Sequence, residues 1–494
     1  MSAADQPGTP GVHAHNIRPV VVGGGTAGLA AAVRLGELGV PTLLLDKEPR
    51  LGGQLHLSSG AFSAAGTDRQ LTRGIVDTAA EHCADVMRIG HNLGTPHLIA
   101  LATQRAARAV NWLDRLGFDF APECPAIVRG HEPYGRPRTY WGTHRVNGGG
   151  AIYETLRRHL DETLVEVRLN ARVERIEVTA SAVTGVTVRE PNGTRTVPAS
   201  TVILATGGYA ASRDLLRRFQ PQHADALIGC LPHSTGDGHR MLLDLDVPMT
   251  GYDTYLPTMG MIEDPARPGF ALPLTKARLV VDANARPPWE IWVNESGERF
   301  VDETERSPDR RERALLEQPG LAMWSLWDEA TLSQAPTAPI GPNWTVEQVR
   351  AAGPWLVRAD SLSELAGRTA LPLSKLHETM RRYADRRTDE FGRTFRPTRL
   401  DSPPYFAVRT VGAMLLSRGG PVVDHVLRPV TASATPIEGL HAIGELLGMG
   451  QFSGDAFAGG MSVGPALSFG VWIAEQVAAT APESARAARR RWPG

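Results

Sequence analysis

A glycine-rich turn between an apolar run and a helical pattern constrains the fold of this chain more than any other feature. The run Pro19–Val22 predicts a buried parallel strand, and the turn GGGTAG at Gly23–Gly28 follows it. Leu29–Leu38 then has apolar residues at helical spacing and stops at a glycine. A second apolar run, Thr42–Leu45, predicts another strand. Residues 19–46 are therefore one predicted βαβ unit.

The spacing of glycines in this turn is typical of dinucleotide binding. Gly23 permits the tight turn, Gly25 lets the backbone approach a pyrophosphate, and Gly28 lets helix and strand pack closely. The helix N-terminus offers free N–H groups and its dipole to phosphates. Asp46 ends the second strand, where an acid can accept hydrogen bonds from ribose hydroxyls. A glycine-rich turn without a ligand is the alternative, and the strand–turn–helix context disfavours it.

A second glycine-rich loop, LGGQLHLSSG at Leu51–Gly60, comes directly after the ribose acid. A nicotinamide enzyme has no clear use for such a loop at this place. FAD is long and extended, and its ribityl and isoalloxazine parts need backbone donors. The two loops together favour FAD over NAD.

Other segments predict strands, a hairpin and a long helix further along the chain. PNG at 191–193 is a hairpin signal, and Gly464–Ala478 reads as a helix. After residue 244, Pro and Trp become frequent and strand and helix signals mix, which suggests an inserted domain. The predicted strands are Val165–Leu169, Val173–Val178, Val183–Val188, Thr201–Ala205 and the run Gly439–Glu445.

Length, charge and cysteine content limit the possible partners and compartments. A chain of 494 residues is expected to form two or three domains, and a net charge of −1 gives no reason to propose nucleic acid or a membrane as partner. Its three cysteines are far apart, so neither a zinc knuckle nor a redox pair is expected. Without a signal-peptide pattern or an apolar run of about 20 residues, we expect a cytoplasmic protein that does not insert into membranes.

Seven segments, in order, resemble the fumarate reductase and succinate dehydrogenase flavoproteins (FAD-binding 2), a family that includes soluble 3-ketosteroid dehydrogenases and similar desaturases. The resemblance is closer to those desaturases than to true fumarate reductases. The segments are GGGTAG with LLLDK, GGQLHLSSGAFSAAGT, ATGGYA (205–210), STGDGHRML (234–242), GERFVDE (297–303), YADRRTDEFGRT with PPYFAV (383–408), and GLHAIGELLGMG with GDAFAGGMSVGPALSFG (439–470).

The resemblance implies an α/β fold: a Rossmann-like FAD domain of the two-dinucleotide-binding-domain type with an inserted α+β capping domain. We expect a flexible N-terminus at 1–17, FAD-domain parts at 18–245 and 413–480, the capping domain at 246–412, and a flexible basic tail at 481–494. Substrate would bind where the capping domain meets the flavin, against its N5 atom.

Carried over residue by residue, the resemblance implies a set of FAD contacts. Glu445 would hold a ribityl hydroxyl, Val173 would bond adenine through its backbone, and the helix start near Ser462 would stabilise negative charge at the flavin N1–O2 edge. A histidine that binds flavin covalently in some members corresponds to Gln54, and His56 is two places off, so we expect non-covalent FAD. The other expected contacts are Gly23, Gly25, Thr26, Ala27, Gly28, Asp46, Lys47, Gly53, Gln54, Ser58, Ser59, Gly60, Thr206, Gly207, Asp237, Gly460 and Val463.

The substrate half departs from the fumarate-reducing pattern. Leu256, Leu416 and Phe457 stand where that pattern has two histidines and an arginine. Removing cations argues against a dicarboxylate, because a buried carboxylate without a partner costs several kcal/mol. Together with Tyr255, and with Met259 as a further candidate, these side chains suit a larger, mostly apolar molecule.

The proton-transfer group has several candidates. Arg306 lies within one residue of the family's acid–base arginine, although a solvated arginine in the charged stretch 305–313 is an equal alternative. Tyr255 could polarise a carbonyl or take a proton, or be a packed aromatic. Arg418 could orient a carbonyl. The segment 129–141 supplies further candidate substrate contacts, for which a solvated loop is as good an explanation: His131, Tyr134 and Arg138.

The expected activity is oxidation of a carbon–carbon bond next to a carbonyl, with a base removing one proton and hydride passing to flavin N5. An external acceptor or oxygen would reoxidise the flavin. The alternatives are an ene-reductase fed by NAD(P)H or a reduced partner, and a flavin-binding subunit without catalysis of its own.

Overall fold

The computed structural model describes residues 18–128, 132–143, 148–254, 258–272, 289–305, 307–334, 355–385 and 389–481. Its strands, in chain order, are β1 Val20–Val22, β2 Thr42–Leu45, β3 Phe62–Ser63, β4 Thr139–Tyr140, β5 Val165–Arg168, β6 Arg172–Thr179, β7 Ala182–Glu190, β8 Gly193–Pro198, β9 Val202–Leu204, β10 Leu227–Ile228, β11 Met249–Thr250, β12 Thr258–Met261, β13 Ile291–Val293, β14 Ala322–Asp328, β15 Leu356–Ala359, β16 Tyr405–Met414, β17 Gly420–Pro421 and β18 Leu440–Ala442.

The α-helices in the same part of the chain lie between these strands, singly or in groups. In chain order they are α1 Thr26–Glu37, α2 Asp68–Leu71, α3 Ala79–Ile89, α4 Pro96–Arg115, α5 Gly148–Leu160, α6 Arg213–Phe219, α7 Asp237–Leu243, α8 Pro308–Leu316, α9 Glu329–Gln334, α10 Leu362–Thr369, α11 Leu373–Ala384, α12 Met449–Ser453 and α13 Val463–Thr480.

A five-stranded parallel sheet forms the centre of the expected FAD domain, in the order β18-β9-β1-β2-β5. Val21 of the central strand lies opposite Leu44 on one side and Ile203 on the other. The strands are short, apolar and buried, as expected for a parallel sheet covered on both faces. The second FAD-domain stretch contributes β18, so segments more than 400 residues apart share one sheet.

Helices α1 and α13 pack against each other beside this sheet. A Cβ on Gly470 would lie 2.5 Å from the carbonyl oxygen of Ala27, so glycine permits the close approach of the two helices. Helix α1 begins at Thr26, three residues earlier than the sequence predicts, because the end of the glycine-rich turn already has helical geometry. The α/β class and the βαβ unit at 19–46 are confirmed, and so are the predicted strands, the hairpin and the C-terminal helix, with small differences at their ends.

A second, largely antiparallel sheet carries the capping region. Its order is β10-β16-β14-β13, with β12 and β15 also pairing with β16. The long strand β16 lies antiparallel to β14 over the whole length of β14. Strand β10 comes from the first FAD-domain stretch and pairs with β16 in parallel, so this sheet links the two regions. Among the described residues, no helix combines the length and the apolar character needed to cross a membrane.

A buried ion cluster explains two of the recognised segments. Glu303 of GERFVDE is fully buried and accepts hydrogen bonds from Arg299 at 2.7 and 2.9 Å, from Arg393 at 2.9 Å and from the Trp292 N–H at 3.0 Å. Arg299 also binds Asp389, 2.7 Å away. The segments 297–303 and 383–394 therefore meet in one charge network inside the capping region.

We predict that Glu303→Ala destabilises the capping region strongly. The substitution leaves two buried guanidinium groups without their shared carboxylate, a loss of about 3 kcal/mol or more. Thermal unfolding of the purified protein measures it. Glu298→Ala is the matched control, since Glu298 pairs with Lys375 at the surface and its loss should lower the melting temperature much less. Equal losses in both variants would contradict a structural role for the cluster.

Candidate FAD and substrate site

The expected cofactor residues follow the carboxyl ends of four neighbouring parallel strands. Gly23–Gly28 follows β1, Asp46 follows β2, Thr206 follows β9 and Glu445 follows β18. Ligands of open parallel sheets bind in the crevice at this edge. The sheet order therefore gathers four separate segments into one cleft.

The three fingerprint glycines have different reasons to lack a side chain. Gly23 has φ +100°, and a Cβ there would lie 2.4 Å from the Ala205 carbonyl oxygen. A Cβ on Gly28 would lie 1.8 Å from the Gly23 carbonyl oxygen. A Cβ on Gly25 would meet no protein atom within 4 Å. Two glycines are thus required by packing, whereas Gly25 leaves room in front of the helix.

The N-terminus of α1 is suited to an anion. Thr26, Ala27 and Gly28 form its first turn, and no acidic side chain and no side-chain cap satisfies their N–H groups. The free donors and the helix dipole therefore face the space that Gly25 leaves open.

The second glycine-rich loop closes over the first. The Gly52 N–H donates to the Gly24 carbonyl oxygen at 2.8 Å, and a Cβ on Gly53 would lie 3.5 Å from the Cα atom of Gly25. Gly60 has φ +69° and packs against the start of α5. Ser58 accepts from the Gly60 N–H, and Ser59 is exposed beside it. The two loops thus face each other across the expected pyrophosphate position.

Asp46 lies at the expected ribose end of the cleft and forms hydrogen bonds with the backbone there. Its carboxylate accepts hydrogen bonds from the Gly24 N–H at 2.6 Å and from the Glu48 N–H at 2.8 Å. The first of these bonds holds the glycine-rich turn against the end of β2. Burial raises the pKa of Asp46 although both hydrogen bonds favour the charged form. The side chain is half-buried, and each oxygen keeps acceptor capacity for a ligand. The Ala171 N–H donates to the Asp46 carbonyl oxygen, which brings Val173 of β6 to the same end.

Lys47 and Asp237 connect this end to the segment STGDGHRML. The Lys47 ammonium donates to Thr235 at 2.7 Å and to Asp237 at 3.1 Å, and Arg172 binds the second oxygen of Asp237 at 3.0 Å. Burial alone would raise the pKa of Asp237, but Lys47 and the other donors hold it below its ordinary value. The network fixes the positions of these groups at the rim of the cleft.

The inner side of the cleft is formed by residues that follow β9 and β18: Thr206, Gly207 and Glu445. The buried Thr206 hydroxyl has no hydrogen-bond partner, and a Cβ on Gly207 would meet nothing within 4 Å. Glu445 is half-buried, and burial raises the pKa of its carboxyl. One Glu445 oxygen accepts from the Ser417 N–H and hydroxyl at 3.0 and 3.1 Å. A ligand with hydroxyl groups could form hydrogen bonds with the Thr206 hydroxyl and with the Glu445 carboxylate.

Helix α13 begins at the far end of the same cleft. Gly460 has φ +80°, and a Cβ there would lie 2.4 Å from the Ser63 backbone nitrogen. Ser462 precedes the helix and Val463 is its first residue, with no side-chain cap and no acid in the first turn. The uncapped helix start can stabilise negative charge on a bound group. The open glycine, the unpartnered hydroxyl and the two free helix starts together fit FAD.

Two of the candidate substrate-side residues are connected through one loop, 454–459, which contains Phe457 and accepts a hydrogen bond from Arg418. Phe457 is half-buried, and its N–H donates to the buried Asp309 carboxylate at 3.3 Å. Leu416 is half-buried and adjoins Ser417, the partner of Glu445. The buried Arg418 donates to the Thr254 carbonyl oxygen at 3.0 Å and to that of Gly454. Arg418 is thus held against the first residue of the loop that carries Phe457, and Leu416 adjoins the residue that binds Glu445.

Tyr134 and Arg138 are used by the protein itself. The Tyr134 hydroxyl donates to the Gly459 carbonyl oxygen at 2.5 Å and lies 3.3 Å from the Ser63 hydroxyl. Arg138 is 1% exposed and forms ion pairs with Asp77 at 2.8 Å and Asp85 at 3.0 Å. These contacts favour structural roles over the substrate contacts that we expected.

Four expected site residues lie outside the described residues: His131, Tyr255, Leu256 and Arg306. The side chain of Met259 does too.

Asp309 and Ser417 are site residues that the sequence did not indicate. Asp309 belongs to the charged stretch 305–313, which reads as a solvated surface. In the structure, α8 buries Asp309 and Arg311 from that stretch. Ser417 gains its role only through a contact with Glu445, 28 residues away. Helical spacing would have grouped Asp309 with Arg313 on one face, but it could not reveal what covers that face.

We predict that Gly25→Ala and Gly28→Ala separate cofactor binding from packing. Gly25→Ala should leave the melting temperature of the apoprotein unchanged and weaken FAD binding about tenfold or more, because the methyl group enters the ligand's space. Gly28→Ala should lower the melting temperature with or without FAD. Equal FAD affinity in Gly25→Ala and wild type would contradict the assignment of the cleft.

We predict a pH-dependent effect of Asp309→Asn on stability. Burial raises the pKa of Asp309 to about 6, although the Phe457 N–H and the charges of Arg313, Arg418 and His91 oppose the rise. The folded protein thus holds this proton more tightly than the unfolded chain, and the stability contributed by the proton is lost as pH rises through the folded pKa. From about pH 5 to about pH 8, the variant should gain about 1 kcal/mol relative to wild type. Denaturant unfolding at both pH values measures it, and a constant difference would contradict the shift.

Comparisons with known proteins agree with this site. The family model described as an FAD binding domain matches residues 18–463. A probable fumarate reductase of Shewanella frigidimarina is 28% identical over 443 residues, which cover 87% of this chain and 69% of that protein. A vinyl phenol reductase of Lactiplantibacillus plantarum is 24% identical over 451 residues, covering 86% of this chain and 88% of that protein.

Among solved structures, the 3-ketosteroid delta1-dehydrogenase of Sterolibacterium denitrificans in complex with 1,4-androstadiene-3,17-dione matches with a TM-score of 0.75. It is 20% identical and covers 94% of this chain and 100% of that one. The family model spans most of the chain, and the cleft at the strand ends has the features that FAD needs. The expected family and cofactor are confirmed: the chain belongs to the FAD binding domain family of fumarate reductase-like flavoproteins and is an FAD-dependent oxidoreductase.

Proposed function

We propose that this oxidoreductase acts on a CH–CH bond next to a carbonyl group of a mostly apolar small molecule. The observation that carries the proposal is the pair Leu416 and Phe457, two half-buried apolar side chains beside the cofactor cleft. They occupy positions where the resembled fumarate-reducing pattern has a histidine and an arginine. A dicarboxylate would lose two cationic partners there, and a buried carboxylate without partners is costly.

The guanidinium groups at this place support the same conclusion. Arg418 donates to two backbone carbonyl oxygens, and Arg313 pairs with Asp455. The charge of Arg313 is therefore balanced by a carboxylate. The guanidinium group of Arg418 is oriented by the two carbonyl oxygens. We propose that Arg418 orients the substrate carbonyl through its fixed charge, and that Tyr255 or Arg306 exchanges the proton.

In the proposed dehydrogenation, the carbonyl acidifies the adjacent C–H and a protein base takes that proton. Bound FAD supplies the acceptor for the hydride that leaves the next carbon, and a C=C bond forms between the two carbons. An external acceptor or dioxygen then removes the two electrons. The ketosteroid dehydrogenase that shares this fold acts, by its name, on a ketone, which supports this substrate class.

A second candidate is the reverse reaction, reduction of an activated C=C bond with electrons from NAD(P)H or a reduced partner. The two relatives described above are both named as reductases, and that observation favours it. A flavin-binding subunit without catalysis is the candidate from another class.

We also propose that the FAD is bound non-covalently. Gln54 stands where covalent members have histidine, and its amide donates to Ser234 at 2.7 Å. The His56 ring nitrogen Nε2 lies 2.9 Å from the Leu51 carbonyl oxygen, and the ring packs edge-on against Tyr153 at 4.9 Å. His56 is thus engaged on the side of α5. A reducing, cytoplasmic location is proposed because the chain of 494 residues has three cysteines, which are far apart in the sequence.

We predict that the FAD-loaded protein oxidises at least one apolar cyclic ketone with a redox dye as acceptor. Phe457→Leu keeps the lining apolar and should stay within about threefold of wild type, whereas Phe457→Arg should lose about tenfold or more by burying a charge beside the substrate. Dye reduction at saturating ketone measures both variants.

Stopped-flow mixing with NADH and with NADPH separates the two enzymatic candidates. Rapid bleaching of the flavin by either nucleotide, without other substrate, would support the reductase and contradict a pure dehydrogenase. Failure of every ketone and every enone to change the flavin redox state would leave the non-catalytic subunit.

A further inference from the structure

The loop 454–459 is fixed at its first residue by the FAD domain. A Cβ on Gly454 would lie 2.1 Å from the carbonyl oxygen of Gly90, so the two backbones are in direct contact. Arg418 donates to the Gly454 carbonyl oxygen from the other side. The loop therefore leaves the FAD domain from a rigid point.

The capping helix α8 forms hydrogen bonds with the middle of this loop through two side chains that are one turn apart. Asp309 and Arg313 are four residues apart and so lie on one face of the helix. Arg313 donates to the Asp455 carboxylate at 2.5 Å and to the Asp455 carbonyl oxygen at 3.0 Å. Asp309 accepts from the Phe457 N–H at 3.3 Å. Two alternating loop residues are thus held through backbone groups, which fixes the path of the loop and not only one side chain.

The end of the loop reaches the cofactor cleft. Tyr134 holds the Gly459 carbonyl oxygen at 2.5 Å, and Gly460 leads directly into the helix start at Ser462. His91 Nδ1 lies 2.6 Å from the second oxygen of Asp455 and 3.3 Å from Arg313 Nη2. The same six-residue loop therefore connects the capping helix, the FAD domain and the expected flavin edge.

We propose that Asp309 and Arg313 are positioning residues that keep α8 closed on the loop 454–459 and so control access to the bound flavin. We call this set (Asp309, Arg313, Asp455 and Phe457) the cap–loop contact. Arg313 carries the larger share, because a guanidinium that binds a carboxylate and a carbonyl at once is fixed in direction as well as in distance. The proposal depends on FAD binding and not on the substrate class proposed above.

Access of a small oxidant to the reduced flavin tests the cap–loop contact without any substrate. FAD-loaded protein is reduced anaerobically with one equivalent of dithionite and mixed with ferricyanide, two ions of which take the two electrons of each reduced flavin. Arg313→Ala should raise the second-order rate of flavin reoxidation about threefold or more by opening the cap. Arg313→Lys should restore part of the wild-type rate, because it keeps the charge but not the double contact.

Arg310→Ala is the matched control. Arg310 is on the same helix, its side chain is 74% exposed, and it pairs with Glu305 away from the loop. It removes the same charge, so any effect of charge on the approach of the ferricyanide anion appears in both variants. The FAD dissociation rate, followed by the fluorescence of released flavin, should rise in Arg313→Ala and remain at the wild-type value in Arg310→Ala.

Asp455→Asn breaks the ion pair from the other side with little change of shape, and it serves if Arg313→Ala fails to fold. The double variant with Arg313→Ala should be no faster than the faster single variant, as expected for two residues acting through one contact. Reoxidation and FAD release equal to those of Arg310→Ala, in folded FAD-loaded Arg313→Ala or Asp455→Asn, would overturn the proposal. Because no ketone is used, that result leaves the proposed reaction untouched.

Discussion

The close approach of the Gly28 backbone to the Gly23 carbonyl oxygen is the constraint on which the rest of the site depends. It lets helix α1 begin directly at the carboxyl end of the central strand β1. The strands on either side, β2 and β9, then place Asp46 and Thr206 at the same edge, and β18 adds Glu445 from the end of the chain. A cofactor as long as FAD needs donors and acceptors spread along such an edge, and a parallel sheet supplies one segment per strand.

The capping region adds a second constraint, which is electrostatic. Glu303, Arg299 and Arg393 are almost completely buried and mutually paired, so the recognised segments at 297–303 and 383–394 are parts of one structural cluster. The neighbouring helix α8 then presents Asp309 and Arg313 to the FAD domain. The expected capping region thus has a buried ion cluster of its own and contacts the loop 454–459 through specific polar groups.

Local patterns in the sequence predicted the cofactor half well, because its elements are set by short-range rules. A strand, a glycine turn and a helix follow one another between Pro19 and Thr42, and each is visible in periodicity or spacing. Glu445 was reached only through the family resemblance, since no local pattern assigns its role. Asp309 and Ser417 could not be foreseen, because a buried polar contact between distant segments has no signature at either end. Arg138 was expected at the substrate, and the structure instead pairs it with Asp77 and Asp85, which were not considered as its partners.

We propose that the cofactor edge of a fumarate reductase-like flavoprotein is retained here, whereas the substrate side is suited to an apolar carbonyl compound. Anaerobic reoxidation of the dithionite-reduced, FAD-loaded protein by fumarate and by an apolar cyclic enone tests it most directly. We expect a cyclic enone to reoxidise the flavin and fumarate to do so no faster than buffer. Rapid reoxidation by fumarate, with no response to enones, would contradict it.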